Sequence, residues 1–159
     1  MQTVNAISKP EIDTVHTVLN NKFGTLYADI WKVGVNMSLR ISDLLSLRYD
    51  DLDIEGRAVQ LVERKTGKKK TVRLNEPAVA IIKRRMQQYP SDTWLFEVHS
   101  NRAKHKPISR VSVSRIFKEA GDMAGLSINT HTMRKSRVTL RYLGITQEAI
   151  LKTYDEFEL

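Results

Sequence analysis

The sequence of 159 residues contains no cysteine. This absence excludes disulfide bonds, thiolate catalysis and every zinc site built on cysteine, and it is typical of a reducing compartment. The four histidines are not spaced like metal ligands, so we expect no bound metal. No apolar run approaches the length of a membrane span, and no signal-peptide pattern opens the chain. We therefore expect a cytoplasmic protein that has no membrane partner.

Basic residues are present in excess. Lysine and arginine total 26 against 18 aspartates and glutamates, which gives a net charge of +8 and an isoelectric point near 9.8. This balance favours a polyanionic partner, nucleic acid first. A hydrophobic content of 41% and a charged content of 28% are typical of a folded globular chain, and the length suits one domain with a real core.

The apolar periodicity predicts a mainly helical fold. Apolar residues recur at intervals of three and four over residues 9–21, 26–37 and 39–47, and Ser8 and Glu11 form a capping box before the first helix. Residues 57–74 alternate with period two around a glycine-containing turn, which predicts a β-hairpin. Further helices are expected at 77–89, from Ser109 or Ser112 to about 121–125, and at 131–142 and 146–154. The predicted fold class is α+β, with a small antiparallel sheet at one edge of a domain over residues 8–159. Residues 1–7 read as a linker or an edge of the chain.

Two segments of the chain are strongly basic. The tip of the predicted hairpin is either an edge protected from aggregation by lysines or a finger that binds a nucleic-acid backbone, and its charge density favours the second interpretation. The loop from His99 to Pro107 is basic as well. The candidate DNA-binding residues in these two segments are Arg64, Lys68, Lys69, Lys70, Arg102, Lys104 and Lys106.

The segment from His131 to Tyr142 carries the residue types of a phosphate site. His131 and Arg134 are three positions apart, so on a helix they share one face. The planar fork of an arginine matches two phosphate oxygens, and a tyrosine hydroxyl can act as a covalent nucleophile. The structural alternative is a solvated helix face that ends in a half-buried aromatic ring.

Three separated segments together resemble a known family. They are the stretch from Gly34 to Arg48 that contains Arg40, the Lys65-Thr-Gly turn, and His131-Thr-Met-Arg134 followed by Tyr142. In this order they resemble the catalytic domain of the tyrosine recombinases, the phage-integrase family. The resemblance extends from about residue 25 to the end of the chain. It implies site-specific DNA recombination or integration, in which strands are cut and rejoined through a 3′-phosphotyrosyl intermediate.

The resemblance also implies a role for each matched residue. Arg40 and Arg134 would clamp the scissile phosphate and stabilise its transition-state charge. Lys65 would protonate the departing 5′ oxygen, and His131 would hydrogen-bond the phosphate or help to deprotonate the nucleophile. Tyr142 would attack the phosphorus.

The remaining implications concern orientation, cofactors and partners. Asp43 occupies the acidic position of the family and would orient the first arginine. No metal or nucleotide cofactor would be required, because two arginines supply positive charge. The implied partner is double-stranded DNA, on which the protein would self-associate and exchange its C-terminal segment. The source would be a bacterium, a phage or a mobile element, and the protein would act at the nucleoid.

Two features depart from the family pattern. We expect the amino-terminal core-binding domain of the family to be absent from this chain, and Arg134 and Tyr142 are only eight residues apart, where family members have a longer interval. A segment between about residues 136 and 138 is therefore missing through a natural deletion, an engineered deletion, or omission from this sequence. We favour omission, because family-like sequence continues on both sides. The alternative function is a catalytically defective DNA-binding remnant; an RNA-binding protein is disfavoured, since no RNA-recognition pattern is present.

Overall fold

The fold was analysed in a computed structural model, which describes residues 6–63, 65–100 and 105–136. Three helices precede one small sheet and further helices follow it, and the predicted α+β class is confirmed. The elements are α1 (Lys9–Lys22), α2 (Thr25–Met37), α3 (Ile41–Leu45), a 3₁₀ turn (Tyr49–Asp51), β1 (Leu52–Asp53), β2 (Ala58–Val62), β3 (Lys69–Arg73), α4 (Glu76–Gln88), α5 (Arg110–Met123) and α6, of which residues 130–136 are described.

Local capping explains where the helices begin. At α1 the Ser8 hydroxyl accepts from the Glu11 N–H, and the Glu11 carboxylate accepts from the Ser8 N–H, so the predicted capping box is confirmed. At α4 the Asn75 side chain accepts from the Ala78 N–H, with Pro77 in the first turn.

The helix predicted over residues 39–47 is shorter than expected. It begins only after Arg40, because the chain reverses at Ser38, whose backbone is left-handed with a φ of 59°.

The sheet is a three-stranded antiparallel meander in the order β1-β2-β3. In the predicted hairpin, Val59 faces Val72 and Leu61 faces Lys70. Val59 and Leu61 are buried, whereas most of β3 is exposed, as expected of an edge strand. The two-residue strand β1 was not predicted, since it is too short to show a periodic pattern.

The core lies between α1, α2, α4 and α5. The Trp31 indole packs edge-on against Phe117, at 5.4 Å between ring centroids, and its N–H donates to the Ile12 carbonyl. Ile7 is buried in this core, and its N–H donates to the Ser136 hydroxyl, although residues 1–7 were expected to be a linker or an edge of the chain. In the described ranges no helix is both long enough and apolar enough to cross a membrane.

A buried ion pair joins α2 to α4. Asp29 and Arg85 are each 2% exposed, and the Arg85 Nη1 lies 3.0 Å from the Asp29 Oδ2. The Arg85 Nε donates to the Leu95 carbonyl, and Arg84 pairs with the other oxygen of Asp29. The buried charge of Arg85 is therefore balanced by Asp29, while the second arginine, Arg84, is 44% exposed to solvent.

Removing the Asp29 carboxylate is expected to destabilise the fold by about 3–5 kcal/mol, because Arg85 would stay buried without its counter-ion. Urea unfolding of Asp29→Ala measures this loss. Asp122→Ala is the matched control, since Asp122 pairs with Lys118 at 3.4 Å on the surface. Exposed pairs contribute less than about 1 kcal/mol. Equal losses in the two variants would contradict a stabilising role for the buried pair.

Candidate active site

The segment between α2 and α3 is the centre of the candidate site. The left-handed Ser38 ends α2, and the extended Arg40 is the residue that precedes α3. Two residues of one short segment thus reach different parts of the fold: Ser38 contacts α6, and Arg40 contacts the hairpin.

Arg40 is joined to the hairpin tip through Glu63. The Arg40 Nη1 lies 3.2 Å from the Glu63 Oε2, and the Glu63 side chain is only 19% exposed. Glu63 closes the hairpin turn, since its N–H donates to the Lys68 carbonyl and its own carbonyl accepts from the Gly67 N–H. Lys65 lies in that turn and is exposed. The ion pair between Arg40 and Glu63 therefore attaches Arg40 to the base of the turn that contains Lys65.

Glu63 was missed by the sequence reasoning, which assigned the orientation of Arg40 to Asp43. Asp43 is buried in the first turn of α3, and the ion pair that the structure shows for Arg40 is with Glu63. A signal for it exists in the sequence, because Glu63 is the single acidic residue between Arg57 and Arg73. A carboxylate is favoured in its charged form by an opposite charge within about 4–6 Å, so Glu63 was a candidate partner for an arginine.

His131 and Arg134 lie on α6, as their spacing predicted. Asn129 precedes this helix; its side chain accepts from the His131 N–H at 2.9 Å, and its N–H donates to the Thr132 hydroxyl at 3.0 Å. His131 is exposed and Arg134 is half-buried. Both residues lie in the first turns of α6, and the Asn129 cap fixes the position of these turns.

Helix α6 lies close to α2 because residue 34 is a glycine. A Cβ at Gly34 would overlap the Met133 sulfur and lie 3.1 Å from the Leu44 side chain. Nearby, the Ser38 hydroxyl lies 3.5 Å from the Arg134 carbonyl. This packing brings the backbone of Arg134 next to the segment that holds Arg40, so the first and third predicted segments are neighbours.

Exposed cations surround this centre. Lys65, Lys68, Lys69, Lys70 and Lys106 are all exposed, and Lys69 and Lys70 line a cleft between the hairpin and α3. Arg48 and Arg110 line the same cleft, and the Arg48 guanidinium lies 4.8 Å from the centre of the Trp94 ring. Such a surface can follow a phosphodiester backbone.

The predicted residues Arg64, Arg102, Lys104 and Tyr142 lie outside the described residues.

Comparison with known proteins identifies the family. The sequence profile described as the phage integrase family matches residues 6–141. The chain belongs to this family, and the predicted resemblance to a tyrosine recombinase catalytic domain is confirmed. Membership of this family supports a recombinase, with site-specific recombination as the general activity of the family.

Individual relatives agree with this membership. The probable integrase/recombinase YoeC of Bacillus subtilis is 29% identical over 186 residues, which cover 99% of this chain and 97% of the relative. The tyrosine recombinase XerA of Pyrococcus furiosus is 31% identical over 101 residues, 64% of this chain and 35% of XerA. The crystal structure of a lambda integrase fragment, a dimer bound to a COC′ core site, has the same fold with a TM-score of 0.73 at 16% identity. That match covers 99% of this chain and 58% of the lambda chain.

Proposed function

We propose that this chain cuts and rejoins DNA through a 3′-phosphotyrosyl intermediate. The observation that carries the proposal is the convergence of the hairpin tip and α6 on the segment from Ser38 to Arg40. A phosphate placed there meets the guanidinium groups of Arg40 and Arg134, which stabilise charge on its non-bridging oxygens. Asp43 and Glu63 are the carboxylates that we assign to orienting Arg40.

The remaining groups complete the reaction. The Tyr142 oxygen attacks the phosphorus while its proton passes to His131, and the bond between phosphorus and the 5′ oxygen breaks. Lys65 gives its proton to the departing oxygen. Rejoining is the reverse, with a 5′ hydroxyl as the nucleophile. The two guanidinium groups supply the positive charge that metal ions supply in many phosphoryl transfers, so the mechanism needs no cofactor.

The proposed substrate is double-stranded DNA bound along the exposed lysines of the hairpin. The lambda integrase of the same fold is a dimer on its DNA site. We propose that this chain likewise self-associates on DNA and exchanges its C-terminal segment between protomers.

Covalent capture on a plasmid library with random inserts tests the function without knowledge of the target sequence. The full chain is incubated with the supercoiled library in EDTA and quenched with detergent, and protein attached to 3′ ends is measured together with plasmid relaxation. The proposal predicts both products. Salt-dependent DNA binding with neither product would instead identify the defective remnant.

The contribution of the hairpin to DNA binding is measurable from salt dependence. Removing Lys69 and Lys70 together is expected to lower the slope of log K against log salt by about 2, because each phosphate contact contributes about 0.9. Fluorescence anisotropy with a duplex at several salt concentrations measures the slope. Lys118→Ala is the control, since Lys118 pairs with Asp122 on α5. An unchanged slope in the double variant would place the DNA elsewhere.

The short interval between Arg134 and Tyr142 is part of the proposal. The alignment with the Bacillus relative spans 186 positions, more than the 159 residues of this chain, so the relative has residues without a counterpart here. We propose that such a segment belongs between about residues 136 and 138. Intact mass spectrometry of the purified chain decides: a mass of 18.3 kDa would show that the short interval is real. A mass larger by that of the residues in several helical turns would show that the segment exists.

A further inference from the structure

Three potential metal ligands meet in the segment between α4 and α5, outside the recombination site, and a fourth residue, His105, lies beside one of them. Asp92, Glu97 and His99 each direct one ligand atom into a space where these atoms lie within 4.8 Å of one another. The His99 Nε2 lies 2.7 Å from the Asp92 Oδ2. The His105 Nδ1 lies 3.9 Å from the Glu97 Oε2, so a second imidazole borders the same space.

The arrangement of the two carboxylates indicates that a positive species belongs between them. Glu97 is 3% exposed, and its Oε1 accepts from the N–H groups of Thr93 and Trp94. Its carboxyl group is also within hydrogen-bond reach of the Asp92 carboxyl, and its Oε2 lies 3.9 Å from the His105 Nδ1. The Asp92 side chain is only 9% exposed. Two nearly buried carboxylates that face each other need a cation or a shared proton.

The pKa values of the two carboxyl groups are shifted in opposite directions. Burial raises the pKa of Asp92, an effect that His99 opposes and the Glu97 carboxylate strengthens. Burial also acts to raise the pKa of Glu97. The Thr93 N–H, the Asp92 carboxyl and the Trp94 N–H outweigh that effect and hold this pKa below its usual value. Without a metal, a proton on Asp92 bonded to Glu97 would satisfy the pair.

We propose that Asp92, Glu97 and His99 bind a first-row divalent metal ion such as Zn²⁺, with His105 as the fourth ligand. Two imidazole nitrogens and two carboxylate oxygens suit zinc, whereas Ca²⁺ and Mg²⁺ take oxygen ligands. Tetrahedral bonds of about 2.0–2.1 Å place ligand atoms roughly 3.3 Å apart. The contact between His99 and Asp92 must therefore lengthen and His105 must approach. Both rings have room, because their side chains are 38% and 75% exposed.

The surroundings support a structural role for the metal. The His99 ring stacks on Tyr89 with 4.1 Å between centroids, which holds it toward the carboxylates. Glu97 pairs with Pro107 in an isolated bridge, and the Val98 N–H donates to the Lys106 carbonyl. The metal thus closes the base of the basic loop from His99 to Pro107 and fixes it before α5. Because α5 begins at Arg110, the site would hold this loop beside the cleft without entering the chemistry at Arg40.

Titration of the full chain with metal alone tests the proposal. Protein treated with EDTA and dialysed is titrated with ZnCl₂ by calorimetry and with CoCl₂ by visible absorption, and one ion per chain with a tetrahedral cobalt spectrum is expected. His99→Ala and His105→Ala should each weaken binding by more than about tenfold, since even an indirect metal partner contributes about 10–100-fold. His16→Gln is the control, because it changes a histidine on α1 and should leave binding unchanged.

The outcomes separate the metal from a shared proton. Absence of stoichiometric binding, or binding that both loop variants retain, would overturn the proposal and leave the shared proton as the explanation. If His99→Ala fails to fold, His105→Ala still decides, since that side chain is exposed and its removal costs the core nothing. The readout does not depend on recombination, so failure of the metal site and failure of the proposed function are distinguishable.

Discussion

Replacing Tyr142 by phenylalanine is expected to abolish covalent protein–DNA adducts while leaving DNA affinity unchanged at every salt concentration. The substitution removes one oxygen, the proposed nucleophile, and keeps the aromatic ring and the net charge. Loss of a nucleophile costs about 10⁶-fold in an enzyme where it has been measured, so a loss of at least about 10⁴-fold is expected here. Detergent-quenched plasmid assays measure the adduct, and anisotropy measures binding.

Tyr154→Phe is the matched control for the nucleophile. Tyr154 also follows His131 and Arg134 in sequence, but only Tyr142 follows the Thr-Leu-Arg context that resembles the family. The control should form adducts at the rate of the unaltered chain. If Tyr154→Phe abolishes adducts and Tyr142→Phe does not, Tyr154 is the nucleophile. The short interval between Arg134 and Tyr142 then has no bearing on catalysis.

The fold was largely predictable because most of its elements have local causes. Periodicity and capping predicted α1, α2, α4, α5 and the hairpin to within a few residues. The prediction of α3 was too long, since apolar spacing alone does not reveal that Ser38 adopts a left-handed backbone. The strand β1 was missed because two residues pair with β2 through tertiary contact and not through a pattern.

The candidate site was predictable only in part, for a related physical reason. The order of Arg40, Lys65, His131 and Arg134 along the chain identified the family, but not what brings these segments together. Their proximity depends on Gly34, which admits α6, and on contacts between distant residues such as Glu63 and Arg40. The carboxylates near His99 were missed similarly, because a loop closed by the bridge at Glu97 brings them together without any regular ligand spacing.

Arg40→Ala and Arg134→Ala are each expected to slow adduct formation by about 10²–10³-fold, the cost of removing one transition-state donor. Lys69→Ala removes a cation of the same sign from an exposed strand and should lower the rate only through weaker DNA binding. The rate is measured at saturating DNA, so that affinity does not contribute. Equal effects of the three substitutions would mean that the arginines only neutralise charge.

Two further variants show how Arg40 acts. Arg40→Lys keeps the charge but not the planar fork, so its rate should stay close to that of the alanine variant if two phosphate oxygens are bound together. Arg40→Ala also removes the arginine that pairs with the Glu63 carboxylate, which is 19% exposed, and we expect this loss to disturb the turn that carries Lys65. The double variant Arg40→Ala/Glu63→Gln also removes the negative charge of Glu63. If the double variant recovers thermal stability but not cleavage, Arg40 acts on the phosphate; recovery of cleavage would show that its main role is to hold the hairpin in place.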